Sequence, residues 1–96
     1  MTKAESVSRV ENREVRVTEW RFSPGSETGW HRHEYDYVVV PLTDGVLRIV
    51  HGAGESATEL EQGLAYFRKA GVEHNVINAG EKPVAFVEIE LVEHPG

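Results

Sequence analysis

Turn signals recur roughly every 8 to 12 residues along this chain, and the segments between them have the residue types of β-strands. The clearest turns are Ser23-Pro24-Gly25, Thr43-Asp44-Gly45, Gly52-Ala53-Gly54 and the loop over residues 79–83. No window keeps apolar residues at a 3.6-residue period over three turns, so the sequence predicts no helix. About eight short strands at this spacing predict an all-β sandwich or barrel.

The predicted strands are rich in β-branched and aromatic residues: Val15–Phe22, Tyr35–Leu42, Val46–His51, Ser56–Leu60, Leu64–Arg68, His74–Asn78 and Val84–Val92. In the last of them Glu88 and Glu90 share one face, and the favoured interpretation is a solvated strand face rather than an acid–base pair. Residues 1–14 are interpreted as an N-terminal segment, either frayed or exchanged as a strand with a partner subunit. Residues 15–93 are predicted to form the barrel.

The composition excludes several kinds of site. The chain has no cysteine, which rules out disulfides, thiolate nucleophiles and cysteine zinc sites. A formal net charge of −6 argues against a nucleic-acid surface and against docking on an anionic membrane. No apolar run is long enough to span a bilayer, and no secretory signal begins the chain, so a cytoplasmic protein is expected. A domain of 96 residues buries a limited share of its surface, and a homodimer is therefore expected.

Two histidines lie two residues apart in a β context. Side chains at this spacing on a strand share a face, with Cα atoms about 6.5–7 Å apart, so His31 and His33 can bind one ion at about 2.0–2.1 Å per nitrogen. His74, at the start of a predicted strand, is the candidate third ligand. Taken alone, the pair is equally compatible with exposed polar residues, and His74 with a structural histidine. His51 and His94 are interpreted as surface residues.

Two stretches of the chain resemble the motifs of the cupin superfamily. Residues 25–45 (GSETGWHRHEYDYVVVPLTDG) resemble the first motif, G-x5-H-x-H-x3,4-E-x6-G, and residues 63–78 (GLAYFRKAGVEHNVIN) resemble the second, G-x5-P-x-G-x2-H-x3-N. The matching positions are Gly25, His31, His33 and Gly45 in the first stretch, and Gly63, Gly71, His74 and Asn78 in the second. The short segment between the motifs is typical of small single-domain bacterial cupins. The resemblance implies a jelly-roll barrel, also called a double-stranded β-helix, with one divalent metal ion (Fe, Zn, Ni or Mn) bound by the three histidines.

The sequence departs from the family pattern at two positions. Lys69 occupies the position of the proline, and the glutamate of the first motif is absent, because its two allowed positions hold Tyr37 and Val38. Tyr37 points inward by parity and is interpreted as a hydrogen-bonding or pocket-lining group beside the metal, or as a core aromatic residue. Tyr35 has the same parity and the same alternatives. Asp36 has the opposite parity and is a poor substitute ligand.

A site of three neutral imidazoles leaves the full charge of the ion uncompensated, so it attracts an anionic co-ligand. Three-histidine iron centres of cupin-type dioxygenases are the family precedent. The resemblance therefore implies a metal-binding cupin, with a dioxygenase-like enzyme for a small anionic metabolite as one function and a non-catalytic ligand-binding or structural cupin as the alternative. Tyr35 and Tyr37 are the candidate catalytic groups, since a substrate must be fixed or protonated. The residues expected to line the pocket are Tyr35, Tyr37, Phe67, Val76 and Phe86.

Overall fold

The structure is a computed structural model that describes residues 2–92, and within this range it has nine β-strands and no helix. The strands are β1 (Glu5–Glu11), β2 (Val15–Phe22), β3 (His31–Arg32), β4 (Tyr37–Pro41), β5 (Gly45–His51), β6 (Gly54–Leu60), β7 (Tyr66–Arg68), β8 (Glu73–Asn78) and β9 (Val84–Leu91). The all-β prediction is confirmed, and each predicted strand is present, Val15–Phe22 with the predicted ends and the others with one or both ends shifted. In the part of the chain described here, no helix could cross a membrane. A cytoplasmic location stays a prediction.

The strands form two antiparallel sheets. One has the order β1-β2-β9-β4-β7 and the other the order β3-β8-β5-β6. After β2, consecutive strands alternate between the sheets except for the β5–β6 hairpin, so the chain crosses between the sheets repeatedly and their inner faces enclose one core. The backbone of Glu27 bridges to Lys3 and Ile77 and helps to join the sheets at one edge.

The N-terminal segment is a strand in this structure. β1 pairs with β2 of the same chain from Glu5 opposite Arg21 onward, with a bulge between Ser8 and Val10. The ion pair between Arg9 and Glu19, at 3.1 Å, links the two strands. Exchange of this strand with a partner subunit stays a prediction. The predicted end of the barrel at residue 93, and His94, lie outside the described residues.

The inward side chains change from apolar to polar along the barrel axis. On β9, Val84 and Phe86 are buried in the core, whereas Glu88 and Glu90 follow on the same face towards the open end. Phe22 stacks on Phe86 with ring centroids 5.4 Å apart. The buried apolar cluster consists of Phe22, Tyr37, Val39, Leu47, Leu60, Val76, Val84 and Phe86. One end of the barrel is therefore closed by hydrophobic packing, and its other end can hold polar groups.

Candidate metal centre

Three histidine side chains meet at the polar end of the barrel. His31 on β3 lies directly opposite His74 on β8, and His33 follows β3 by one residue. The Nε2 atom of His33 is 3.1 Å from Nε2 of His31 and 3.1 Å from Nε2 of His74. The structure thus brings together the three histidines selected from the sequence.

Backbone hydrogen bonds join His33 to the turn that precedes β8. The His33 N–H donates to the carbonyl of Val72 (2.9 Å), and the Gly71 N–H donates to the carbonyl of His33 (2.8 Å). Gly71 has a φ of +97°, a conformation that glycine adopts at little cost and other residues rarely adopt. This motif glycine therefore shapes the turn that holds the first-motif and second-motif histidines at one point.

Two of the imidazole rings have defined contacts away from the centre. The Nδ1 atom of His31 is 2.9 Å from the carbonyl oxygen of Gly29, which can only accept, so Nδ1 carries the proton and Nε2 presents its lone pair to the other rings. The His33 ring stacks on Tyr37 with centroids 4.0 Å apart and planes inclined by 20°. The Nδ1 atom of His33 faces the carboxylate of Glu88 at 3.5 Å.

Burial keeps His33 and His74 neutral. Desolvation, and after it the neighbouring charge of His31, lowers the pKa of His33 to about 3 and the pKa of His74 to about 4. Both rings are therefore uncharged at pH 7, which is the form that binds metals.

The geometry fits a divalent metal ion. Two nitrogens that bind one ion at about 2.1 Å are about 3.0 Å apart at a right angle and about 3.4 Å apart at the tetrahedral angle. The observed separations of 3.1 Å lie within this range. Three protein ligands leave further coordination positions free, which is typical of catalytic rather than closed structural metal sites.

The three histidines border a cavity of about 250 Å³. Its walls also include Trp20, Thr28, Tyr37, Val39, Leu47, Ile49, His51, Ser56, Thr58, Tyr66, Arg68, Val72, Val76, Phe86 and Glu88. The expected lining residues Tyr37, Val76 and Phe86 are among them. The expectation for Phe67 is wrong, because this side chain is 48% exposed on the outside of β7 and its neighbours Tyr66 and Arg68 point inward instead.

The two candidate catalytic tyrosines occupy different environments. Tyr37 lines the cavity against His33, and burial followed by the charge of Glu88 raises the pKa of its phenol, so it stays protonated. Tyr35 lies in a bend before β4 rather than in the strand predicted for it, and it is not among the cavity-lining residues. The guanidinium carbon of Arg16 is 5.9 Å from its ring centroid. A catalytic role for either tyrosine stays a prediction.

Glu88 is a cavity residue that the sequence interpretation missed. The solvated strand face expected for Glu88 and Glu90 is wrong, since their side chains are only 12% and 15% exposed. Desolvation, with the charge of Glu90 second, raises the pKa of Glu88 to about 7. Both glutamates share the parity of Phe86, which was expected to point inward. The alternation along β9 therefore already indicated that Glu88 and Glu90 point inward as well.

His51 is a second missed residue. It was interpreted as an ordinary surface histidine, but it is half-buried, lines the cavity and lies opposite His74 in the β5–β8 ladder. Its Nδ1 atom accepts a hydrogen bond from the Ala53 N–H at 3.3 Å. The signal was its parity with Leu47 and Ile49 on the same strand.

Comparison with known proteins decides the family. The family model described as "Cupin domain" matches residues 18–90, about three quarters of the chain. The chain belongs to the cupin family. The predicted membership is confirmed, and so is the double-stranded β-helix fold, since solved cupin structures have the same architecture.

Three relatives illustrate how far this likeness extends. The cupin is 63% identical over 82 residues to a protein of Pseudomonas aeruginosa named "Beta-alanine degradation protein BauB", covering 85% of this chain and 86% of the relative. A crystal structure of a cupin domain from Bordetella pertussis is 50% identical, with a TM-score of 0.92 over 94% of each chain. An RmlC-like cupin of Methanocaldococcus jannaschii shares the fold at a TM-score of 0.77 and 10% identity, over 95% of this chain and 82% of that one.

Proposed function

We propose that this cupin binds one divalent metal ion, Fe, Zn, Ni or Mn, through His31, His33 and His74 and acts as a dioxygenase-like enzyme on a small anionic metabolite. The observation that carries the proposal is the convergence of three imidazole nitrogens on the wall of a small cavity. When bound there, a divalent ion supplies Lewis acidity, and iron in addition supplies chemistry with O₂.

Arg68 supports the anionic nature of the substrate. Among the cavity-lining residues described above, it is the one with a permanent positive charge. Its guanidinium lies over the Tyr66 ring at 4.4 Å, and one Nη1–H donates to the carbonyl of Phe67 at 3.0 Å. The other guanidinium N–H groups can bind a carboxylate, in the bidentate manner that arginine favours.

Tyr37 supplies a second polar contact for the substrate. Because its phenol stays protonated, its hydroxyl can donate a hydrogen bond to an oxygen of a bound molecule. The same ring stacks on His33, so a substrate held by Tyr37 lies beside the candidate metal position.

The name of the Pseudomonas relative narrows the substrates to be tested. At 63% identity, a link of that protein to β-alanine degradation suggests small carboxylates as substrates of this cupin. β-Alanine is tested first: it is a zwitterion at pH 7, and its carboxylate is the anionic group that Arg68 would bind. In a dioxygenase reaction both atoms of O₂ enter the product, so the organic substrate supplies all the electrons and no further reductant is consumed.

The first experiment is metal analysis of the purified protein and of two histidine variants. His33→Ala removes the nitrogen that lies 3.1 Å from both other ligands and should reduce metal content at least tenfold. His51→Ala is the matched control, because His51 lines the same cavity but is outside the three-histidine group, and it should keep its metal. Full metal content in His33→Ala would refute the ligand assignment.

The second experiment separates catalysis from simple binding. The iron-loaded protein is screened for oxygen consumption with β-alanine and other small carboxylates. Substrate-dependent uptake supports the enzyme. Binding of a carboxylate without oxygen uptake, whichever metal is loaded, would instead support the non-catalytic, ligand-binding cupin.

A further inference from the structure

We infer that Glu88 is a positioning residue of the metal centre, whose carboxylate accepts the Nδ1–H of His33 and thereby directs the Nε2 lone pair of that ring towards His31 and His74. This inference rests on the proposed function, since it gives Glu88 a task only where the three histidines are ligands. It assigns a role to a residue that is outside both cupin motifs and lies on β9, the last strand.

The contacts of Glu88 point to His33. Its Oε1 atom is 3.5 Å from His33 Nδ1, and both side chains are nearly buried. Within residues 2–92, no lysine or arginine nitrogen lies within 4.0 Å of this carboxylate. The separation exceeds that of a good charge-assisted hydrogen bond, about 2.7–2.9 Å, so the inferred hydrogen bond requires the two side chains to approach more closely than in this structure.

In the metal-free protein, the contacts of His33 Nε2 with Nε2 of His31 and of His74, both at 3.1 Å, compete with Glu88 for the tautomer of this ring. Stacking on Tyr37 restricts the plane of the ring but does not choose which nitrogen carries the proton. For His31 this choice is made by the carbonyl of Gly29, which accepts the Nδ1–H. Glu88 occupies the corresponding place at His33, so both neighbouring rings present an unprotonated Nε2 to the same point.

Two other roles for Glu88 predict different results. His33, Glu88 and Glu90 have ligand atoms within 4.8 Å of one another, so a second cation could bind between them. Alternatively, Glu88 could contact only the substrate. A second cation predicts two ions per chain and equal effects of substitutions at Glu88 and Glu90, whereas a substrate contact predicts metal affinity unchanged by substitution.

The first test is made on the metal-free protein, so that it remains decisive if no metal binds. The ¹⁵N chemical shifts of the His33 ring are measured by NMR at pH 8 in the native protein and in Glu88→Ala. We expect the native ring to carry its proton on Nδ1 and the variant to shift towards a mixture of tautomers. A native ring protonated on Nε2, or a variant with unchanged ¹⁵N shifts, overturns the inference without bearing on the ligand set.

The second test is metal affinity without substrate, measured by competition with a chromophoric chelator. Glu88→Ala should weaken binding about 10- to 100-fold, and Glu88→Gln less, because the amide oxygen can still accept the Nδ1–H. Glu90→Gln is the matched control, a carboxylate on the same face of β9 that pairs with Arg16 at 3.9 Å, and it should change affinity less than threefold. Unchanged affinity in a folded Glu88→Ala, or two ions per chain with an equal loss in Glu90→Gln, contradicts the positioning role.

Discussion

The candidate site combines buried neutral histidines with a buried glutamate, and their environments shift the pKa values in opposite directions. Burial lowers the pKa of His33 to about 3 and of His74 to about 4, whereas it raises the pKa of Glu88 to about 7. In each case the cause is the cost of placing a charge away from water. The stability of the metal-free protein should therefore depend on pH in a way that these residues control.

Between pH 6.5 and pH 4.5 the stability of the metal-free protein is a balance, in which acid acts against the folded state through two histidines and in favour of it through two glutamates. In this range the unfolded chain binds protons at these two histidines, whereas the folded His33 and His74 do not. Each histidine therefore lowers the free energy of unfolding by about 1.4 kcal/mol for every unit by which the pH falls. Glu88 has the opposite effect on the free energy of unfolding. Its carboxylate binds a proton below about pH 7 in the folded protein but only near pH 4.5 in the unfolded chain, so acid stabilises the folded form through this residue. Glu90, whose pKa is also raised, opposes the histidines as well.

Urea unfolding across this range tests the balance. Glu88→Gln removes one opposing group, so its stability should fall with acid more steeply than that of the native protein, by up to about 1.4 kcal/mol per pH unit. The double variant His33→Gln/His74→Gln should reverse the sign of the dependence, because Glu88 and Glu90 remain and both bind protons more readily in the folded form. Equal slopes for native protein and Glu88→Gln would show that Glu88 titrates normally in the folded state.

Tyr37 should affect the ligand rather than the metal. Tyr37→Phe keeps the ring that stacks on His33 and removes only the hydroxyl. We expect unchanged metal content and a roughly tenfold weaker binding or turnover of the substrate, equivalent to the loss of one hydrogen bond of about 1 kcal/mol or more. Metal content measured alongside ligand affinity decides the matter, because a loss of metal would identify Tyr37 as a direct ligand.

At the level of elements, Asn78 organises the connection between β8 and β9. Its side chain is 1% exposed, and its Nδ2 donates to the carbonyls of Lys82 (2.9 Å) and Phe22 (3.3 Å). Its Oδ1 accepts the N–H of Gly80 at 3.0 Å. This motif asparagine therefore closes the loop after β8 and ties it to the end of β2. Its role is structural and separate from that of the histidines.

Asn78→Ala should destabilise the protein by about 1–3 kcal/mol, because it leaves buried backbone groups without partners. Metal content of the folded fraction should not change. Asn12→Ala is the control, since Asn12 accepts from the N–H groups of Glu14 and Val15 in an exposed turn where water can replace it. Thermal unfolding of both variants measures the difference, and equal losses would argue against a special role for the buried amide.

On the scale of the whole molecule, the outer faces of the two sheets differ. Register places Val17, Val38, Val40, Val87 and Ile89 side by side on the outside of the five-stranded sheet. The outside of the other sheet carries charged side chains such as Arg48 and Glu59. At the edge of the apolar face, Glu19 pairs with Arg9 and Arg21, so this edge carries both signs of charge.

We propose that this apolar face is the contact of a homodimer. A small domain buries a limited share of its surface alone, and a face with apolar centre and charges of both signs at its edge can pair with a copy of itself. Ile89→Lys should convert the dimer to a monomer in light scattering after gel filtration. Val46→Lys, on the outside of the other sheet, should leave it dimeric. A native protein that is monomeric at micromolar concentration would contradict the proposal.

The sequence by itself determined the all-β class, the cupin family and the three converging histidines. Strand periodicity and turn residues are local properties, and the spacing of His31, His33 and His74 matches two motifs whose resemblance to the cupin family carries the expected geometry. The same alternation indicated that Phe86, Glu88 and Glu90 share a face.

For several strands, only the tertiary structure decided which face points inward. The alternation of side chains along a strand shows which residues share a face. It does not show which of the two faces is buried, because that depends on the sheet packed opposite. For this reason Tyr66 rather than Phe67 lines the cavity, and Glu88 lies beside His33 instead of in water. Tyr35 lies in a bend before β4 and is not among the cavity-lining residues.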